Sequence, residues 1–394
     1  PSLVGSEMCI RDRYYYYRKP MGIFSPVYVI AFMSLGQILP QLTTIYYLPH
    51  VYNPSILYNL LITMISCNLA FMIGYERKVT LKSNKILDIK SSWIKPLIIL
   101  FAPGSLIFDL IMSASHAGIK TATDGVIAFQ FQALGYISLI LTLMYLRENK
   151  LTLWLVGCLI LSTLPILHYA FGIYGSRLST FTVALLYAYL LAIKFPNRYN
   201  LIKKIFTIFF IVGCIGSLSI SEIRTNMGKD SQNSISDINF IKNIKKSFTG
   251  GSYNERAGMD LGNAALGIDY CFQKNEYNYG SFIWNGFVFN YIPKRLVGEN
   301  IKTSLIIPFE ADKYIQALTN GITCTTGYYD AFSAFSWFGF FVFYFLARIF
   351  AWIRKRGSYS TLYMTLFFYM LANSTVGVTP VSYTHLRAHE TRHD

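Results

Sequence analysis

"SILYNLLITMISCNLAFMIGYERK", residues 55–78, decides the class of fold. Residues 55–75 contain no charged side chain, and Glu76, Arg77 and Lys78 follow at once. A helix rises about 1.5 Å per residue, so such a run matches the roughly 30 Å hydrocarbon thickness of a bilayer. The stretch reads as a membrane span that ends in a basic loop.

Working outward, comparable apolar runs fall at 25–47, 96–114, 124–146, 151–174, 178–194, 205–220, 333–353 and 359–380. Together they predict about nine spans. Hydrophobic residues make up 53% of the chain and charged residues 14%, which excludes an ordinary soluble domain. The expected fold class is therefore all-α, a polytopic transmembrane helical bundle.

The formal charge of +15 would suggest a nucleic-acid partner if it were gathered on one soluble surface. Instead it sorts by loop. Arg18 and Lys19 precede the first span; Arg77, Lys78, Lys82, Lys85, Lys90 and Lys95 follow the second. Arg147 and Lys150 follow the fourth, Lys194, Arg198, Lys203 and Lys204 the sixth, and Arg354, Lys355 and Arg356 the eighth. The short loops opposite carry only Lys120 and Arg177. Every second loop is basic, which puts the N-terminus in the cytoplasm by the positive-inside rule and removes the case for nucleic acid.

The two ends read differently from the rest. Residues 1–13, "PSLVGSEMCIRDR", and 381–394, "VSYTHLRAHETRHD", resemble translated sequencing-adapter DNA and are set aside. His385, His389 and His393 go with them, so the histidine-rich tail is not expected to bind metal. The native chain is expected to begin near Tyr14 or Met21 and to be cut near Pro380, with further spans lost. The organisation that results is spans one to seven over 14–220, a large extracytoplasmic loop or cap over 221–332, and spans eight and nine over 333–380.

Residues 221–332 are balanced in charge and long enough for a small folded cap. Within them "YGSFIWNGFVFNYIP", 279–293, predicts a re-entrant or interfacial helix broken at Pro293. Cys271 and Cys324 also lie there, where an extracytoplasmic disulfide is chemically possible. Cys67, Cys158 and Cys214 sit inside apolar runs as small buried hydrophobes.

The chain has no Walker loop, dinucleotide fingerprint, HExxH or CxxC, so neither a cofactor nor a metal is expected. The charges facing the outer side are more informative. Arg177 lies in "YGSRLSTFT", 174–182, at the start of the sixth span. It reads either as an interfacial arginine on lipid headgroups or as part of an anion clamp, since free N–H groups and the helix dipole there favour negative charge. Glu222 and Arg224 follow the seventh span in "SEIRTNMGK"; Glu255, Arg256 and Asp260 lie in "YNERAGMD"; Lys294, Arg295 and Glu299 lie in "YIPKRLVGE". Arg177, Arg224 and Arg295 stand out because neighbouring apolar segments hold them near the headgroups. Within the spans, Asp109 and Asp124 are functional candidates or partners of Lys120, and His168 reads as a helix-packing histidine or a base. Tyr328, Tyr329, Phe332, Phe335 and Trp337 form an aromatic lead into the eighth span.

Many spans, "GSR" entering a mid-chain helix, a late outer loop with "IPKRL", and "TTGYYDAFSAFSWFG" before the next span resemble the Wzy-type O-antigen and oligosaccharide repeat-unit polymerases. That family shows an I-P-R/K element and then E-x-Y-x-x-F-G-x-x-G. Here Asp330 stands for the Glu, Phe332 for the Tyr, Phe335 for the Phe, Ser336 for the first Gly and Gly339 for the last.

The resemblance implies a metal-independent glycosyltransferase of the bacterial inner membrane. It would polymerise polyprenyl-diphosphate-linked oligosaccharide repeat units on the outer face, with membrane lipid around it and a chain-length regulator protein as partner. Arg177, Arg224, Lys294 and Arg295 would then hold the diphosphate, Glu222 or Asp330 would deprotonate the acceptor hydroxyl, and Tyr328 and Tyr329 would meet the sugar. An O-antigen ligase-like transferase and a lipid-linked oligosaccharide flippase are the alternatives.

Overall fold

The computed structural model describes residues 25–30, 54–80, 91–116, 134–146, 149–168, 177–217, 260–292, 297–318, 326–357 and 360–377. Every regular element among them is helical. In chain order they are α1 (Pro54–Glu76), α2 (Ser91–His116), α3 (Leu134–Leu146), α4 (Leu153–His168), α5 (Arg177–Lys194), α6 (Tyr199–Ser217), α7 (Asp260–Lys274), α8 (Ser281–Tyr291), α9 (Glu299–Leu305), α10 (Glu310–Leu318), α11 (Gly327–Phe335), α12 (Phe340–Gly357) and α13 (Thr361–Gly377). Among the described residues, three helical stretches are long and apolar enough to cross a membrane: Pro54–Glu76, Ser92–Leu110 and Gly327–Gly357. Shorter apolar helices occupy Leu134–Leu146, Leu153–His168 and Leu362–Leu371.

Pro54 opens α1 where a missing N–H costs nothing. Leu60, Met64, Cys67 and Phe71, at helical spacing, face the protein interior, while Ile65, Leu69, Met72 and Ile73 are exposed. Helix α12 repeats the pattern, burying Phe343, Ala347 and Phe350 and exposing Phe341, Phe345 and Ile349. Helices apolar on both faces have lipid as their natural surroundings. Burial against lipid supplies little drive, so close packing and interhelical hydrogen bonds must hold such helices together. Gly74 provides the packing, since a Cβ there would lie 2.6 Å from the carbonyl oxygen of Tyr344.

The contacts also fix direction. Asn68 of α1 meets Tyr328 ahead of α12, Phe71 meets Phe350, and Tyr75 receives the guanidinium of Arg354 at 2.6 Å. Helices α1 and α12 therefore run parallel. Past the end of α1, Arg348 donates to the carbonyls of Gly74 and Lys78, at 3.2 and 3.3 Å, and to that of Arg77, while Lys355 donates to that of Val79. Basic side chains thus satisfy the free carbonyls and negative dipole end of α1.

A second group follows the same logic. Lys95 lies 5.4 Å from the ring centre of Trp154 near the starts of α2 and α4, and Asp109 meets His168 near their ends, so these two helices are parallel. Helix α3 is antiparallel to α4, with Ser138 bonded to Ser162 at 2.7 Å and Tyr145 edge-on to Trp154. Thr163 and Tyr187, 2.8 Å apart, join α4 to α5, and Tyr189 packs on Phe368 of α13. A turn at Pro196–Arg198 joins α5 to α6.

Candidate functional site

Helices α7, α10 and α11 pack on one another, and α7 and α11 on α1. Leu261, Ala264, Ala265, Ile268 and Cys271 of α7 are buried at helical spacing, and their small size lets the neighbouring helices approach. Tyr329, 2% exposed, lays its ring against Gly267 and donates its hydroxyl to Asp312 at 2.8 Å. Tyr328, 1% exposed, stacks on Phe343 at 5.4 Å and shares hydrogen bonds with the Asn68 amide at 3.1 and 3.2 Å. The two tyrosines expected to meet sugar thus have their rings packed inside helix interfaces, where they fix α11 to α1, α7 and α10. Asp330 sits beside them in the first turn of α11, half-buried.

Asp269 and Cys271 are among the groups of α7 with shifted acidities. Burial raises the Asp269 carboxyl above its ordinary value, and Gln273 Nε2 donates to it at 2.6 Å. Burial first, then the charges of Asp312 and Glu276, push the Cys271 thiol up to about 12. Cys271 is a free thiol enclosed in the core, which corrects the idea of a bridge to Cys324; Cys324 itself lies outside the described residues.

Helix α11 turns onto α12 through Ser336–Gly339. Ser336 has φ 55°, a left-handed conformation that favours glycine, and its hydroxyl bonds Tyr277 at 3.0 Å. Asn278 binds Ser333 twice, through its backbone N–H at 2.7 Å and its side chain at 2.8 Å. Trp337 packs edge-on to Phe332 and Phe272.

The expected interfacial helix corresponds to α8, which ends before Pro293. Asn285 exchanges two hydrogen bonds with Ile307, at 2.8 and 2.9 Å, and Trp284 Nε1 donates to the carbonyl of Leu305. Ile283, Trp284 and Phe287 remain exposed.

Arg177 is the first residue of α5, and α5 packs on α4. Its side chain, and all of Glu222, Arg224, Lys294 and Arg295, lie outside the described residues. Asp109 and His168, 59 residues apart and read separately in the sequence, come together with Oδ2 and Nδ1 2.7 Å apart. Asp312 escapes sequence reasoning altogether. The amphipathic "EADKYIQAL" marks its helix, but nothing local marks its partner. Among the described residues no group of histidine, cysteine and carboxylate side chains could hold a metal ion.

Comparison with family models, curated proteins and solved structures finds no match for this chain.

Proposed function

We propose that this protein is a multi-pass bacterial inner-membrane glycosyltransferase of the oligosaccharide repeat-unit polymerase type, with its N-terminus in the cytoplasm. Its substrates are polyprenyl-diphosphate-linked oligosaccharides, and transfer takes place on the outer face. The observation that carries the reading is the join between α11 and α12. Two positions that correspond to glycines of the family motif, Ser336 and Gly339, are places where the backbone calls for glycine: Ser336 by its φ of 55°, Gly339 because a Cβ would collide with the carbonyl oxygen of Ala331. Motif spacing and backbone requirement coincide at both positions.

The parallel course of α1 and α12 adds support. It gathers Arg77, Arg348, Arg354 and Lys355 at one end of the helix pair, while Tyr328 meets Asn68, two turns back along α1 from that end. Under the positive-inside rule the basic end is cytoplasmic, and the motif lies on its outward side.

The chemistry asks for two things on that face. Developing charge on a diphosphate leaving group must be stabilised, and an incoming sugar hydroxyl must lose its proton. Arg177, Arg224, Lys294 and Arg295 are the proposed diphosphate ligands, guanidinium being suited to paired phosphate oxygens. Glu222, which follows the seventh span beside Arg224, and Asp330 of the motif are the carboxylates proposed as base, with Tyr328 and Tyr329 shaping the helix that bears Asp330. The donor already contains the bond energy, so no nucleotide is required. Deleting the gene and displaying surface glycan by length tests the reading: loss of the multi-repeat ladder supports it, and an unaltered ladder refutes it.

A further inference from the structure

We propose that His168, oriented by Asp109, accepts the proton of the incoming sugar hydroxyl, in place of Glu222 or Asp330. The inference rests on the transferase reading above and names a group for its proton-transfer step. Its starting point is the 2.7 Å contact between Asp109 Oδ2 and His168 Nδ1. A carboxylate only accepts hydrogen bonds, so the contact places a ring proton on Nδ1, and in the neutral imidazole Nε2 is then the nitrogen with the lone pair. The same orientation of an imidazole by a carboxylate prepares the base of serine hydrolases. Exposure divides the roles: the Asp109 side chain is 12% exposed and the His168 side chain 44%, so the carboxylate is tucked away while the imidazole stays within reach.

The surroundings argue against an ordinary surface pair. Asp109 lies in an apolar helix long enough to span a bilayer, and Ile107, Leu110 and Leu164 nearby are exposed apolar residues. Ionisable groups within membrane-spanning helices are costly and are functional candidates by default.

Position relative to Arg177 completes the case. The eight residues between α4 and α5 suit an antiparallel course, and the bond between Thr163 and Tyr187 sets the level at which the two helices meet. His168 lies five residues beyond that contact along α4, and Arg177 ten residues before it along α5. At 1.5 Å per residue both sit toward the same end of the bundle, about 7 and 15 Å past the contact. A diphosphate held at the start of α5 would therefore lie toward the end of the bundle at which α2 and α4 finish.

In the proposed step the hydroxyl O–H bond breaks and its proton goes to His168 Nε2. The oxygen bonds to the anomeric carbon of the donor while the bond from that carbon to the diphosphate oxygen breaks, its electron pair leaving with the diphosphate. The imidazolium then returns its proton to water. Asp109 acts as a positioning residue that also steadies the transient positive charge.

The test uses the full chain in membranes of the deletion strain, complemented with H168Q, H168A, D109N or R177A. The in vitro substrate is the lipid-linked oligosaccharide extracted from that strain. The glutamine side chain in H168Q keeps an N–H for Asp109 but has no basic nitrogen. The expected result for H168Q is normal abundance with transfer reduced about a hundredfold or more, within the usual range for loss of a general base. D109N should lower transfer about tenfold and displace its pH profile, while added imidazole should restore part of the activity of H168A; a packing role alone predicts neither effect. A wild-type glycan ladder from H168Q at normal abundance overturns the proposal. If R177A loses the ladder while H168Q keeps it, only the role of His168 falls. If the deletion strain itself keeps the ladder, the transferase reading falls and this proposal with it.

Discussion

Gly339 lies directly on the carbonyl oxygen of Ala331, so that a Cβ built on it would collide with the backbone of α11. The obstacle is main chain and cannot turn aside as a side chain could. Gly339→Ala should therefore destabilise the protein by about 1–3 kcal/mol or more, the usual cost of forcing extra atoms into a packed site. Thermal unfolding in detergent would show this as a lowered midpoint; an unchanged midpoint would mean that the turn from α11 to α12 is looser than described.

Ser336 offers the opposite experiment. Its φ of 55° is a strain of roughly 1–3 kcal/mol that glycine would not bear. Ser336→Gly also gives up the hydroxyl bond to Tyr277, worth about 1 kcal/mol. The net expectation is equal or greater stability, by up to about 2 kcal/mol, read from the same unfolding curves.

Tyr329 and Asp312 form a pair whose coupling can be measured. Removing the hydroxyl in Tyr329→Phe leaves a carboxylate short of a donor, at a cost of about 1–2 kcal/mol. A double-mutant cycle with Asp312→Ala should return a coupling of about 1 kcal/mol or above, whereas zero coupling would remove the bond from the account.

Cys271 should be chemically inert while the protein is folded. With the native thiol pushed up to about 12 from an ordinary value of 9.0, almost no thiolate exists at about pH 8 in the native state. Iodoacetamide should spare Cys271 until the chain is unfolded, as peptide mapping would report. The sign of the linkage follows. Because the unfolded thiol ionises first, stability from this group is constant below its unfolded pKa and declines as pH rises from about 9 toward 12.

The apolar helices are legible because apolar length is a local property of the sequence. The run at 55–75 corresponds to Pro54–Glu76, 178–194 to Arg177–Lys194, and 359–380 to Thr361–Gly377. The eighth run, 333–353, is less legible: its first residues end α11, a turn intervenes at Ser336–Gly339, and α12 begins only at Phe340. Hydropathy does not register a left-handed serine. Helix α7 falls within the stretch that reads as loop, although Leu261, Ala264, Ala265, Ile268 and Cys271 have helical spacing; small residues and Asp269 hide a packed face behind low hydropathy. Pairs such as Asp109 with His168, or Tyr329 with Asp312, depend on how helices dock and leave no local signal.

Helix α8 should touch lipid. A nitroxide on Ile283→Cys, at a position 63% exposed on an apolar face, is expected to collide more with oxygen than with a water-soluble nickel complex in vesicles. The reverse preference would place α8 in water, above the headgroups.

Arg177 tests the central claim most directly, because its guanidinium is the proposed grip on the lipid diphosphate at the start of α5. Arg177→Ala and Arg177→Lys should accumulate normally yet yield glycan of a single repeat in place of the ladder, with the lysine form recovering little because a point charge lacks the paired donors. A full ladder from normally abundant Arg177→Ala protein would contradict the account.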